Sequence, residues 1–109
     1  MSAIKIGIEP IKKMYLMIKK SKIKRMVIVY KSFTFYGYTF CVHQSLNQMD
    51  SDEIWSDMEY SVSEYSTGCS CGFIESNSIK KVINEVLELL NVNKHKLYET
   101  IKRYERINK

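Results

Sequence analysis

Residues 26–45 read Met-Val-Ile-Val-Tyr-Lys-Ser-Phe-Thr-Phe-Tyr-Gly-Tyr-Thr-Phe-Cys-Val-His-Gln-Ser, a β-branched and aromatic stretch of period two that is interrupted at Tyr36-Gly37. Alternation on both sides of a two-residue break containing glycine is the signature of a β-hairpin. With Tyr36 and Gly37 as the turn, Phe35 faces Tyr38 and Phe33 faces Phe40. Phe33, Phe35, Tyr38, Phe40 and Val42 then share one face, the core side. Tyr30, Ser32, Thr34, Thr39, Cys41 and His43 fall on the other face, which is either solvated or carries a partner.

Outward from this hairpin the period changes. Ile11, Met14, Tyr15 and Ile18 recur at i, i+3, i+4, i+7 behind Pro10, which predicts a helix from Pro10 to about Lys22 within a basic arm, residues 1–25. Residues 46–57 hold four acids and the only Trp without any period, and read as a loop. Residues 58–65 alternate again, Ser66-Thr67-Gly68 supplies a turn, and Cys69 to Ile74 is extended: a second hairpin. Ser76 or Ser78 caps a helix whose stripe is Ile79, Val82, Ile83, Val86 and Leu90. Asn91-Val92-Asn93 ends it. Asn93 is expected to cap a last helix, with Val92 stapled onto Leu97 and with Leu97, Ile101 and Tyr104 on one side. The expected fold is a single α+β domain over residues 1–109. Its antiparallel sheet of two β-hairpins (26–75) is flanked by an N-terminal helix and two C-terminal helices (76–109).

Composition sets the outer bounds. The chain has 109 residues, 45% of them hydrophobic, with eight Tyr, four Phe and one Trp, enough for one small core and too little for a multidomain enzyme. Apolar runs such as Met14 to Ile18 are too short to cross a bilayer or to form a signal-peptide core, so a soluble, unprocessed, cytoplasmic protein without a membrane role is expected. Three cysteines, an odd number, are expected to stay reduced. The net charge of +5 is segregated: +8 over residues 1–31, −7 over residues 32–78, and +4 over residues 79–109. Two electrostatic faces follow, one suited to phosphate and one to a basic protein surface. Fourteen Lys against three Arg, and thirteen Ile against one Ala, are what an AT-rich genome writes whatever the function, but such bias does not explain 47 residues without a base.

Four constellations carry candidate chemistry. Cys41 with His43 and Cys69 with Cys71 are i, i+2 pairs that would satisfy tetrahedral zinc by count. The usual spacing within a pair is absent, and register decides whether they meet. A two-residue turn at Thr67-Gly68 points Cys69 and Cys71 to the core and Cys41 and His43 away, and a three-residue turn inverts this. His43 and Glu64 resemble an acid/base couple, with Ser61, Ser63, Ser66 or Thr67 as conceivable nucleophiles, but no nucleophile elbow, phosphate loop or metalloprotease motif accompanies them. A non-enzymatic protein without cofactor or metal is expected. Lys12, Lys13, Lys19, Lys20, Lys22, Lys24 and Arg25 place seven positive charges in fourteen residues. They read as a phosphate-binding surface, with Lys94, Lys96, Lys102, Arg103 and Arg106 adding charge on the last helix and Tyr30 and His43 available to stack bases. Asp50, Asp52, Glu53, Trp55, Asp57 and Glu59 form an acidic array around an aromatic anchor, suited to a basic groove on another protein.

Two resemblances bear on this choice. Gly-Tyr-Thr-Phe-Cys-Val-His (37–43), Tyr-Ser-Val-Ser-Glu-Tyr-Ser-Thr-Gly (60–68) and Ser-Ile-Lys-Lys-Val-Ile-Asn (78–84) resemble small phage and prophage proteins of low-GC Gram-positive bacteria, over about half the chain. Those proteins include anti-defence factors of the anti-CRISPR kind. The resemblance implies a viral protein that binds and inhibits a host defence protein or ribonucleoprotein complex, and the acidic array at residues 50–59, which departs from the family's shorter pattern, is expected to make that contact. The α-β-β-β-α order and Ser78-Ile79-Lys80-Lys81 also look like the double-stranded-RNA-binding domain, though Val82, Val86 and Leu87 stand where that family has small residues. That second resemblance implies phosphate contacts by Lys80 and Lys81 across a groove of double-stranded RNA; direct RNA or DNA binding through the basic first and last helices is the alternative that the charge pattern offers. A homodimer through a free strand edge or helix packing is compatible with either.

Overall fold

Tyr36 (φ 48°) and Gly37 (φ 86°) both occupy the left-handed region, the backbone of a type I′ turn, and they join the two strands whose alternation decided the hairpin. A computed structural model describes residues 11–18, 23–51, 57–71 and 74–108. Its elements are β1 (Lys13–Ile18), β2 (Ile23–Phe35), β3 (Tyr38–Gln44), α1 (Leu46–Met49), β4 (Tyr60–Glu64), α2 (Ile79–Val92) and α3 (Lys94–Arg103). The strands form one antiparallel sheet in the order β1-β2-β3-β4. The fold is α+β, and Phe35 pairs with Tyr38 and Phe33 with Phe40 as the alternation requires.

The N-terminal helix is not found. Residues 13–18 are strand β1, paired with β2 from Lys13 opposite Ile28 to Ile18 opposite Ile23. Met14 and Leu16 are buried while Lys13 and Tyr15 are exposed, an alternation that coexists in this sequence with the helical stripe. Pairing decides between the two periods: β2 continues well beyond the hairpin and offers β1 a ladder of hydrogen bonds. The basic segment therefore contributes to both strands of a two-stranded ribbon, with Lys13 on β1 and Lys24 and Arg25 on β2, while Pro10 and residues 19–22 lie outside the described residues.

A bulge divides β2. Val29 pairs with His43 and Lys31 with Val42, so Tyr30 is the extra residue and the strand changes faces there. Below the bulge, Val27 and Val29 join Met14, Leu16 and Cys41 in one buried cluster, onto which Ile11, Leu46, Met49 and Tyr65 pack. Above it, Phe33 and Phe35 join Phe40, Val42 and Val62 in a second cluster, closed by Val82, Val86 and Leu90 of α2. The two cores lie on opposite faces of one sheet.

The sheet curls around the first cluster until its ends meet. Met17 N donates to Gly68 O beyond β4, 3.1 Å. Asn108 fastens the seam: its Oδ1 accepts from Tyr15 N, and its Nδ2 donates to Tyr15 O and Tyr65 O, at 2.6–2.8 Å. The other edge is partly occupied too, because β4 forms bridges to Ser70 and Ser76. The second hairpin is thus reduced to isolated bridges rather than a full return strand. Edge-to-edge dimerisation finds little free backbone on either side among the described residues.

Ser78 accepts from Lys81 N and begins α2, as its position before the apolar stripe implies. Asn93 acts differently from expectation. Its side chain donates to Leu89 O and so finishes α2 instead of starting α3, and Val92, at 82% exposure, makes no staple with Leu97. Residues 46–49 of the expected loop form the single turn α1.

Gly68 holds the seam at φ +69°, where an added Cβ would overlap Tyr15 O and Ile107 Cδ1, whereas Gly37 has open space. We expect Gly68→Ala to lower the thermal midpoint by about 10 °C or more and Gly37→Ala by about 5 °C, from the strain of a left-handed non-glycine residue with and without steric overlap. Circular dichroism melting checks this.

Candidate nucleic-acid interface

Among the described residues, the bulge leaves one half of a sheet face without a covering helix. On the Phe33 side, α2 covers the sheet only above Tyr30. Below it, cross-strand partners Tyr15–Met26 and Lys13–Ile28, with Lys24 opposite Met17, share that same face. Tyr15 (40%), Met26 (44%), Ile28 (62%) and Tyr30 (44%) are exposed there, large apolar side chains in one contiguous strip. Tyr30 rests edge-on against Tyr60, ring centroids 5.5 Å apart, which fixes its orientation without covering it. Lys13, Lys24 and Lys31 are exposed around the strip and Lys12 beside it, and none has a carboxylate partner among the described residues. A cationic rim around an apolar, aromatic centre is the result.

The sequence placed this surface only in part. Of its seven basic residues, Lys12, Lys13 and Lys24 belong to the rim, Lys19, Lys20 and Lys22 lie outside the described residues, and Arg25 is half-buried in an ion pair with Asp50. Tyr15, Met26, Ile28 and Lys31 were missed. The signal for Tyr15 was the alternation within residues 13–18, outweighed by the helical stripe. Lys94 of α3 does not join this surface. Lys94 stacks over Tyr36 and Tyr98 meets Tyr38, at the opposite end of β2 from the ribbon.

His43 is not a base-stacking residue. It faces the curled side of the sheet, 2% exposed. Its Nδ1 lies 2.8 Å from Gln44 O and its Nε2 2.7 Å from Ser63 Oγ, so the Nδ1–H tautomer donates to the carbonyl and accepts the serine hydroxyl. Glu64 points to the opposite face, where Ser66 and Thr67 donate to its carboxylate from backbone and hydroxyl at 2.6–3.1 Å. The couple His43–Glu64 therefore does not form, and Glu64 closes the turn after β4. A cleft of about 190 Å³ opens beside His43, lined also by Ser45, Ser61, Ser63 and Glu75.

The zinc set is divided by the sheet. Cys41 belongs to the cluster under β1, while Cys71 packs against the α2 core and lines a second, apolar cleft with Cys69, Leu90, Leu97 and Ile101. No group of three metal-ligating side chains converges among the described residues. Burial, reinforced by the Glu64 carboxylate, pushes the Cys41 thiol up to about 12 and raises that of Cys71 as well, so both stay protonated and unreactive.

Of the acidic array, Asp52, Glu53 and Trp55 lie outside the described residues. Asp50 already faces Arg25, Asp57 is exposed and Glu59 is half-buried. Gln48, buried, donates to Asp57 O and accepts from Glu59 N, and so pins the far end of that segment. Among the described residues no helix is long and apolar enough to cross a membrane.

Comparison with protein-family models, with curated proteins and with solved structures finds no match to this chain.

Burial holds the His43 imidazole below its ordinary range, against the weaker upward pull of the Gln44 carbonyl. The folded chain therefore refuses a proton that the unfolded chain accepts below the unperturbed value of 6.5. Stability is complete above that pH and falls, by up to about 1.4 kcal/mol per pH unit, as the pH drops toward the depressed folded value. Urea unfolding between about pH 5 and 7 reads this slope. We expect His43→Gln to flatten it, and an unchanged slope in that variant would assign it to another group.

Proposed function

We propose that this protein binds nucleic acid directly, without catalysis, through the outer face of the β1–β2 ribbon. The observation that carries the reading is the exposed strip Tyr15–Met26–Ile28–Tyr30 with Lys13, Lys24 and Lys31 at its rim. Exposed aromatics rimmed by lysines that have no carboxylate partner among the described residues suit a ligand with flat apolar faces and negative edges, and a nucleic acid is that ligand. The N-terminal excess of positive charge adds a long-range attraction toward phosphate.

A second reading keeps the protein a phage-type inhibitor that blocks a host nucleic-acid-handling complex of the CRISPR kind through residues 50–59. The observation that favours it is the clamp by Gln48, which fixes the end of that segment with Asp57 exposed. Asp50 counts less toward it, since its charge is already shared with Arg25.

Fluorescence anisotropy with a labelled oligonucleotide separates these. Lys13→Glu with Lys24→Glu is expected to abolish binding at about 100 mM salt and to leave the fold intact, because both side chains are exposed. Each single Lys→Gln is expected to reduce the slope of log affinity against log salt by about 0.7–0.9. Reversing Asp52, Glu53 and Asp57 should leave this affinity unchanged or raise it. Wild-type affinity in the Lys13→Glu/Lys24→Glu variant would remove the ribbon from the interface, and loss of function only in the Asp/Glu variant would favour the inhibitor.

A further inference from the structure

We infer that the ligand of the ribbon face is single-stranded nucleic acid, held by base stacking on Tyr15 and Tyr30; this rests on the nucleic-acid reading above. The arrangement of polarity decides the class. A duplex presents its phosphates outward and keeps the flat faces of its bases stacked inside, so a protein surface that meets it along the backbone must be polar at its centre. Here the centre is apolar. Ile28 is the most exposed of the four patch residues at 62%, Met26 lies beside it, and the lysines stand at the perimeter. Setting Ile28 and Met26 against phosphates would strip water from the phosphates and return no hydrogen bond. A single strand solves both requirements, with unstacked bases facing the protein and phosphates running along the edge toward Lys13, Lys24 and Lys31.

The geometry of the ribbon fits that class. From Lys24 to Tyr30 the strip runs about 20 Å along β2 at ~3.3 Å per residue, long enough for several consecutive bases. Tyr15 and Tyr30 lie on the same face, with Met26 opposite Tyr15 and Ile28 two residues from both Met26 and Tyr30. Tyr30 is held by its edge contact with Tyr60, which limits the side-chain freedom it must lose on stacking. Among the described residues, no helix or loop rises from this half of the face to enter a groove. Stacking on tyrosine tolerates any base, so weak sequence preference is expected.

Anisotropy with a labelled DNA and RNA single strand of about 12 nucleotides, and with the duplex of the same sequence, tests the inference. The expected result is tighter binding of the single strand by roughly tenfold or more. Each of Tyr15→Ala and Tyr30→Ala should weaken it roughly tenfold, with Tyr15→Phe and Tyr30→Phe retaining it, since the ring and not the hydroxyl stacks. The Phe variants also guard against a folding defect, as does the circular dichroism spectrum of each Ala variant. Equal or tighter binding of the duplex overturns the single-strand inference and leaves the nucleic-acid reading standing. Single-strand binding that survives both Ala substitutions overturns the stacking role. Absence of binding to either form at about 50 mM salt, where phosphate contacts are strongest, overturns both.

Discussion

One extra residue in β2 governs this molecule. If β2 were regular, Val27, Val29, Phe33 and Phe35 would share a face, and a single side of the sheet would have to bury all of them. The bulge at Tyr30 sends the valines to one side and the phenylalanines to the other. A thirteen-residue strand thereby serves two cores from within one sheet. The same change of face turns Met26 and Ile28 outward, on the side that α2 covers only further along. Exposure of the ribbon follows from how the cores are divided.

Closure makes the core of Met14, Leu16, Val27, Val29 and Cys41 possible. A four-stranded sheet leaves its outer strands half paired, and β1 with β4 would expose two backbone edges. Here the sheet curls until Met17 meets Gly68, and the amide of Asn108 satisfies both backbone groups of Tyr15 while also reaching Tyr65 O. Inside the curl the His43 imidazole is paired at both nitrogens, between Gln44 O and Ser63 Oγ. The contacts of Asn108 with Tyr15 join residues nearly the whole chain apart, which local propensity does not suggest. Burial under the curl engages His43 and Cys41, and the turn after β4 engages Glu64, so the most chemically suggestive residues in the sequence serve the fold.

What was legible in the sequence was local. The Tyr36-Gly37 turn, the pairing of Phe33 with Phe40 and the capped α2 with Val82, Val86 and Leu90 inward all follow from period and turn chemistry. Residues 13–18 satisfy a helical stripe and a strand alternation at once, and only the partner strand chooses between them. The bulge is invisible to alternation, because Tyr30 continues the pattern on both sides of it. The candidate surface was half legible for the same reason: its lysines were evident as charge and Tyr30 as an exposed ring, whereas Tyr15 and the apolar centre depend on a register set by tertiary pairing. The acids at 50–59 read as a free array, yet Asp50 turns back onto Arg25.

The distribution of charge and exposure gives the chain two unlike surfaces, an apolar strip with a basic rim on the ribbon and an acidic segment anchored by Gln48. In the reading proposed above, ligand meets the first. Two-dimensional 1H–15N correlation spectra of the labelled protein, titrated with a short single strand, test it most directly. The structure predicts shifts at the amides of Tyr15, Lys24, Met26, Ile28 and Tyr30, with α3, Asp57 and Glu59 unmoved. Shifts confined to α3 or to Asp57 and Glu59, with the ribbon silent, would contradict it.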